Sequence, residues 1–214
     1  DNIQNYKRIL KLILEASILH WIIPILWGIG LSAATGIRIF LPFFLISLSK
    51  NLNFIDFGIQ FQWLDGNTVL IILGIATLVE ILGYYIPLVD HILDLVATPL
   101  AFAAGIIGMS SVIPDMPVYI DNILSIIIGG GTAVSFNSIM GFWRVKTTAS
   151  TAGLANPIYS TVENIMSAVF TFLSFLIPVL FGILILLFVL GSFRFIQKLF
   201  QKKRKRNVVK KVLN

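Results

Sequence analysis

Long apolar stretches without a charged residue dominate this sequence. Four of them, at residues 16–37, 95–114, 122–143 and 164–193, hold 22, 20, 22 and 30 residues. A helix needs about 20 predominantly apolar residues to cross a bilayer. The sequence therefore predicts an all-α fold, a polytopic helical membrane protein with a transmembrane helical domain over residues 17–193.

Composition excludes several other classes of protein. Hydrophobic residues make up 57% of the chain and charged residues 12%, whereas soluble domains have about 25% charged residues. An ordinary soluble enzyme and a disordered tail protein are thereby excluded. The absence of cysteine excludes thiolate catalysis and Cys-ligated metals, and the two histidines are too few for a His-rich metal site. We therefore expect no enzyme activity, no cofactor and no bound metal.

The basic residues concentrate near the C-terminal end. Nine of the 16 Lys and Arg residues lie in 194–214, which holds no acid. A basic cluster beyond an apolar span predicts a cytoplasmic tail that attracts anionic lipid headgroups, and nucleic-acid binding is not expected. Lys7, Arg8 and Lys11 predict that the N-terminal end is cytoplasmic too. Residues 1–16 are predicted to form an interfacial helix.

Some apolar segments have lengths that do not fit one crossing. Residues 39–49 follow Gly36 and carry Pro42 in their first turn, which predicts a re-entrant or half-length helix. In 164–193, either Pro178 divides the helix or the helix tilts. The aromatic segment 54–63 predicts an interfacial loop or hairpin, in the aromatic belt on the side opposite the basic tail.

The two halves of the chain contain a weak internal similarity. TLVEIL at 77–82 resembles STVENI at 160–165, so that Glu80 aligns with Glu163. This similarity predicts two diverged, inverted repeats, 17–114 and 118–193, of the kind found in many transporters. Chance similarity between apolar segments is the alternative.

Ionisable and polar residues within apolar segments are the candidate functional residues. A charge at the bilayer centre costs at least about 2.5 kcal/mol on insertion scales, so such side chains are paired or face water. The candidates for substrate binding or ion coupling are Arg38, Glu80, His91, Asp94, Arg144, Asn156 and Glu163.

The spacing of these residues leaves several roles open. Glu80, Tyr84, His91 and Asp94 share one helix face if Pro87 does not interrupt the helix. Asp90 and Asp94 either bind a cation or lie solvated at a helix start. Arg38 either neutralises Glu80 or Glu163, binds a substrate phosphate or carboxylate, or forms a structural salt bridge.

The polar segment 144–157, RVKTTASTAGLANP, also allows two interpretations. It predicts an anion or headgroup pocket before a helix that starts after Asn156, with Pro157 as its first residue. A capped cytoplasmic loop is the alternative. The glycines at 129–131 lack the lysine of a nucleotide loop, so they predict close helix packing instead.

Three motifs resemble a known family. Residues 32–49, 76–105 and 150–165 together are similar to the bacterial membrane family called domain of unknown function 4126, over about residues 25–190. Members often carry His and Lys where this chain has Asn137 and Met140. The resemblance implies a multi-pass protein of the bacterial inner membrane and implies no activity. The positions that match the family pattern are Gly36, Arg38, Pro42, Glu80, Pro87, Asp90, His91, Asp94, Pro99, Arg144, Asn156, Pro157, Ser160 and Glu163.

Two main functions follow as expectations. The first is a small transporter or lipid-handling protein that moves a small ion or an anionic lipid headgroup through a polar cavity between broken helices, with proton coupling through Glu80 or His91. The second is an accessory or structural subunit of a larger membrane complex. A membrane enzyme acting on a lipid is a weaker third. Expected partners are membrane lipids and either further copies of the chain or a larger complex.

Overall fold

The computed structural model describes residues 21–55, 57, 59–113, 116–151 and 153–194. These residues form helices with short connections, and no strand occurs within these ranges. The all-α prediction is therefore confirmed. The predicted interfacial helix at 1–16 and residues 195–214 of the predicted basic tail lie outside the described residues.

The helices follow one another with few intervening residues. Val118–Thr151 is one continuous helix of 34 residues, in which a π-helical turn (Ser125–Gly130) joins two α-helical parts. A 3₁₀ helix spans Ile59–Leu64. In chain order the α-helices are α1 (Trp21–Ile37), α2 (Leu41–Asn51), α3 (Asn67–Gly83), α4 (Pro87–Ser110), α5 (Val118–Leu124), α6 (Gly131–Thr151), α7 (Asn156–Leu176) and α8 (Pro178–Arg194).

Several helices have the length and composition of membrane spans. Ile92–Ser110 within α4 and the helix Val118–Thr151 are each long and apolar enough to cross a membrane. The pair α1 and α2 passes the same test together, but it bends by 118° at the break between them. Large apolar side chains are exposed along α3, α4, α7 and α8. The fold is thus that of a polytopic helical protein with a broken helix pair, as predicted.

Proline sets several of the helix boundaries. Ile86 and Ile177 precede Pro87 and Pro178 and adopt non-helical φ/ψ of −104°/113° and −137°/61°. The proline ring clashes with a helical conformation of the preceding residue. Pro178 therefore divides 164–193, as predicted. The continuous helix considered for Glu80 to Asp94 is wrong, because α3 ends at Gly83 and Pro87 starts a new helix.

Helix α1 lies at the centre of the fold. All of its residues from Gly28 onwards, and Arg38 after it, are buried. One apolar cluster joins α1 to α2, the 3₁₀ helix and α4, and a second joins it to α6 and α8. A helix surrounded on all sides in this way is a core helix.

Small residues allow the helix backbones to approach closely. A Cβ added at Gly36 would lie 2.3 Å from the carbonyl oxygen of Ala133, and one added at Gly105 would lie 2.6 Å from that of Gly129. The close packing predicted for the glycines near 129 is therefore confirmed for Gly129, whereas Gly131 has no such neighbour. These contacts place the α1–α2 break beside α6.

The aromatic segment 54–63 differs from its prediction. Phe54 and Trp63 are exposed, but Phe57 and Phe61 are buried in the core beside α1 and α2. The Ser47 hydroxyl donates a hydrogen bond of 2.7 Å to the carbonyl oxygen of Leu64, which ties the 3₁₀ helix to α2. The hairpin alternative is wrong, because Ile59–Leu64 forms a 3₁₀ helix.

Candidate functional site

Charged side chains from separate parts of the chain meet near the α1–α2 break. They come from the break itself and from α3, α4, α6 and α7. The structure therefore brings Arg38, Glu80, Asp94, Arg144 and Glu163 of the predicted site residues together. Of the other predicted site residues, Asn156 joins the group, and His91 lies in α4 with a side chain outside the described part. We call the group the ionic cluster, and it consists of Arg38, Glu80, Asp90, Asp94, Arg144 and Glu163.

Arg38 pairs with α7. Its side chain is 1% exposed, and its Nη2 donates to the Ser160 hydroxyl at 2.6 Å, the Ser160 carbonyl at 3.2 Å and the Glu163 carboxylate at 3.0 Å. Arg38 is therefore paired with Glu163, which fits both the neutralisation and the structural salt-bridge interpretations. Its Nε and Nη1 atoms are buried and have no hydrogen-bond partner among the described residues.

Arg144 joins α4 to α7. Its Nη1 donates to Asp94 at 2.5 Å and to Asp90 at 3.4 Å, and its Nη2 donates to Glu163. Asp90 and Asp94 are one helical turn apart and therefore present their carboxylates on one face of α4. The planar guanidinium fork reaches both helices at once, which a lysine ammonium could not do. The cation at these two aspartates is thus Arg144.

The ring of Tyr84 holds both guanidinium groups. The Cζ atoms of Arg38 and Arg144 lie 4.1 and 4.0 Å from its centroid. Each contact is a cation–π interaction worth about 0.5–2 kcal/mol. Both arginines also bind the same Glu163 oxygen, Oε2, so one carboxylate oxygen and one ring keep two like charges together.

Asn156 extends the cluster to the polar segment 144–157. Its side-chain amide donates to Asp90 at 3.1 Å, and its side-chain carbonyl accepts a hydrogen bond from Thr148 at 2.9 Å. Residues 144–151 are the end of α6, so the loop alternative is wrong for them. The hydroxyls of Thr147, Ser150 and Thr151 donate to backbone carbonyls four residues earlier, which lets the helix continue.

The start of α7 also differs slightly from its prediction. The helix begins at Asn156, so Pro157 is its second residue rather than its first. Gly153, with φ of +85°, makes the turn between α6 and α7.

Glu80 binds backbone groups instead of a side chain. Its Oε1 accepts a 2.7 Å hydrogen bond from the N–H of Ile39, and its Oε2 accepts a 3.1 Å hydrogen bond from the N–H of Phe40. Ile39 and Phe40 directly precede α2, and the first N–H groups of a helix lack intrahelical partners. The carboxylate also lies at the positive end of the helix dipole. Glu80 is therefore an N-terminal cap of α2 supplied by α3, a role that the sequence analysis did not foresee.

Two pockets reach the ionic cluster from different sides of Tyr84. One, of about 200 Å³, is lined by Tyr84, Asp90, Asn156 and the α6–α7 turn. The other, of about 260 Å³, is lined by Tyr84, Glu80, the α1–α2 break and apolar residues of α3 and α4. Glu80, Asp90 and Asn156 therefore border pockets, whereas Arg38 and Glu163 are each only 1% exposed.

The charges in the ionic cluster do not balance. It contains carboxylates of Glu80, Asp90, Asp94 and Glu163 but guanidinium groups of only Arg38 and Arg144, counted over the described side chains. Burial of unpaired charge is costly, so a cluster with excess carboxylate is stabilised by binding a proton or a cation. The arrangement is chemically suited to proton uptake and to exchange of ion-pair partners.

Several residues of the site were not among the predicted site residues. For Asp90, a solvated position at a helix start was one of two open interpretations, although its spacing from Asp94 indicated a shared helix face. Tyr84 lies four residues after Glu80, and Ser160 lies three residues before Glu163. This spacing from a predicted site residue was the signal that could have identified them. The Asn137 side-chain carbonyl accepts a hydrogen bond from Thr98, and the Met140 backbone carbonyl accepts one from Tyr159.

Comparisons with known proteins give one match. A family model described as Domain of unknown function (DUF4126) matches residues 25–198. No curated protein and no solved structure matches the chain.

Proposed function

The chain belongs to the Domain of unknown function (DUF4126) family, whose description names no activity, and from the ionic cluster we propose that it is a small membrane transporter. Its substrate is a small ion or an anionic lipid headgroup, and protons bound by the cluster are coupled to its movement. The substrate passes between the broken helix pair α1–α2 and helices α4, α6 and α7.

One observation carries this proposal: six ionisable side chains converge on a helix break. Discontinuous helices with ionisable side chains at the break are the usual architecture of transporter binding sites. Non-helical backbone at membrane depth is tolerated where it is buried in protein or lines a cavity. A salt bridge that only joined two helices would need two side chains, whereas this cluster draws on five segments of the chain.

The incomplete pairing within the cluster supports exchange of partners. Both arginines bind Oε2 of Glu163, while Oε1 of the same carboxylate is buried with no partner in the part of the chain that the structure describes. Arg38 likewise has two unpartnered nitrogen atoms. Protonation of Glu163 would weaken both of its ion pairs at once. Arg144 would then be held by Asp90 and Asp94, and Arg38 by Ser160. A transporter needs such a change between two arrangements of the same groups.

Proton flux into vesicles tests the proposal. Purified protein is reconstituted in phospholipid vesicles loaded with pyranine, and internal acidification is followed after an external acid pulse in chloride or phosphate buffer. The variant is Asp94→Asn, because Asp94 is 38% exposed and its loss leaves the buried pairs in place. The matched control is Asp65→Asn, whose carboxylate pairs with Lys50 at 3.0 Å and is 49% exposed. We expect slower acidification for Asp94→Asn alone.

The outcomes separate transport from the accessory-subunit alternative. Vesicles with wild-type protein that acidify no faster than protein-free vesicles would contradict ion transport. A parallel assay uses headgroup-labelled fluorescent phosphatidylglycerol and external dithionite, so that faster quenching identifies lipid movement instead. Absence of both activities, together with a stoichiometric partner on purification, would favour a subunit of a larger complex.

A further inference from the structure

The start of α2 binds a carboxylate that belongs to the protein itself. The N–H groups of Ile39 and Phe40 hold the two oxygens of Glu80 at 2.7 and 3.1 Å. Free N–H groups and the dipole at a helix N-terminus form an anion-binding site. The Glu80 side chain resembles a tethered propionate in that site.

Buried donors near this carboxylate exceed those that Glu80 uses. Arg38, the residue before Ile39, is 1% exposed, and its Nε and Nη1 find no hydrogen-bond partner within the described ranges. The hydroxyl of Thr77 is also buried without a partner, and Thr77 lies three residues before Glu80, on the same face of α3. Unpaired buried donors are costly, so they indicate a ligand or water that accepts from them.

A pocket of about 260 Å³ continues from the carboxylate. Its lining includes Glu80, Ile39, Phe40 and the Tyr84 ring on which the Arg38 guanidinium is stacked. The other lining residues are all apolar: Ala76, Val79, Leu93, Val96 and Leu100. A carboxylate site with apolar walls fits a monocarboxylate that has a short hydrocarbon tail. The same walls disfavour a multiply charged anion, which loses more hydration on burial.

We propose that this pocket binds a small monocarboxylate with an apolar tail and that Glu80 is a tethered competitor for its carboxylate site. The inference rests on the proposed transport function and names its substrate class. A proton taken up by Glu80 removes the charge that holds it at the α2 amides, and the free monocarboxylate replaces it. One proton and one monovalent anion thus enter together, with no net charge.

Each of the other charged groups around Glu80 already binds a partner, so Glu80 is the group that exchanges with the ligand. Arg38, from the break, attracts the Glu80 carboxylate and is itself bound to Glu163 on α7. On α4, Asp94 is bound to Arg144, as is Asp90. On α2, Lys50 is paired with Asp65. Tyr84, at the end of α3, stacks against both arginines.

Butyrate binding to purified protein in detergent tests the proposal. Radiolabelled butyrate is measured by equilibrium dialysis across mildly acidic to mildly alkaline buffers. For the wild type, linkage to one proton predicts that affinity falls about tenfold per pH unit on the alkaline side. Glu80→Gln removes the competing charge, so its butyrate affinity is expected to be independent of pH. The control Asp65→Asn retains the wild-type dependence.

A pocket-filling variant protects the test against a folding defect in Glu80→Gln. Ala76→Phe fills the pocket and leaves Glu80 in place, so it is expected to lose butyrate binding. Ala103→Phe is its matched control, because Ala103 is exposed on α4 outside the pocket. Unchanged binding by Ala76→Phe, a pH dependence of Glu80→Gln equal to that of the wild type, or equally strong competition by phosphate would overturn the proposal.

The binding assay and the vesicle assay can fail separately. Butyrate binding without proton flux would leave the monocarboxylate site standing and contradict transport. Proton flux without butyrate binding would leave transport standing and contradict this substrate class.

Discussion

Replacement of Arg144 with methionine should strongly destabilise the fold. Arg144 is the shared partner of Asp90 and Glu163, whose side chains are 4% and 1% exposed, and of the more exposed Asp94. Methionine has a similar length and suits an apolar interior, so the change removes the charge while largely retaining the packing. Two buried carboxylates would then lose a cation.

The expected magnitude follows from the burial of these partners. Removal of one member of a buried ion pair costs about 3–5 kcal/mol, because it leaves an uncompensated buried charge. Asp94 adds little, since exposed pairs contribute about 0–1 kcal/mol. The matched control is Lys50→Met, whose partner Asp65 is 49% exposed, and the same reasoning predicts a loss of about 0–1 kcal/mol for it.

The assay is equilibrium unfolding in mixed detergent micelles, followed by tryptophan fluorescence and circular dichroism. A double variant, Arg144→Met with Asp90→Asn, removes the buried carboxylate whose ion-pair partner was Arg144, whereas Glu163 keeps Arg38; it should recover part of the lost free energy of unfolding. If Arg144→Met is destabilised no more than Lys50→Met, or if the double variant loses the sum of the single effects, the buried-network reasoning is refuted.

Two further predictions concern the packing around the cluster. Gly36→Ala should destabilise the protein because the new Cβ would lie 2.3 Å from the Ala133 carbonyl oxygen. Gly141→Ala, with open space around it, should instead stabilise its helix by about 0.5–1 kcal/mol. Thermal unfolding of both variants in detergent measures the difference, and equal effects would contradict the close backbone approach. Tyr84→Phe keeps the ring under both guanidinium groups and loses only the hydroxyl that interacts with Arg144. Tyr84→Leu should in addition lose about 0.5–2 kcal/mol for each cation–π contact, so equal melting of the two variants would contradict the stacking.

The candidate site residues could be found from sequence because the cost of a charge in an apolar segment is a local property. Arg38, Glu80, Arg144 and Glu163 each interrupt apolar surroundings, and each of them belongs to the ionic cluster. The break at residues 38–40 was signalled by Gly36 and Pro42, which act on the backbone next to them. Signals of this kind need no knowledge of distant residues.

The pairings could not be found in that way. Arg38 and Glu163 are 125 residues apart in the chain, and Glu80 caps amides about 40 residues before it. The helical state of 144–151 was missed because its hydroxyl residues suit a loop or a helix equally well, and backbone bonding within α6 decides between them. The burial of Phe57 and Phe61 depends on the bent helix pair that they cover.

Local chemistry therefore settles that this chain is helical and apolar, where its helices break, and which ionisable residues are costly enough to need a partner. Helix packing settles which partner each of them meets, that Glu80 caps a neighbouring helix, and that two pockets flank Tyr84. The physical reason is range: helix formation and insertion cost depend on residues within a few turns. Ion pairing and cavities arise only where helices remote in sequence come within a few ångströms.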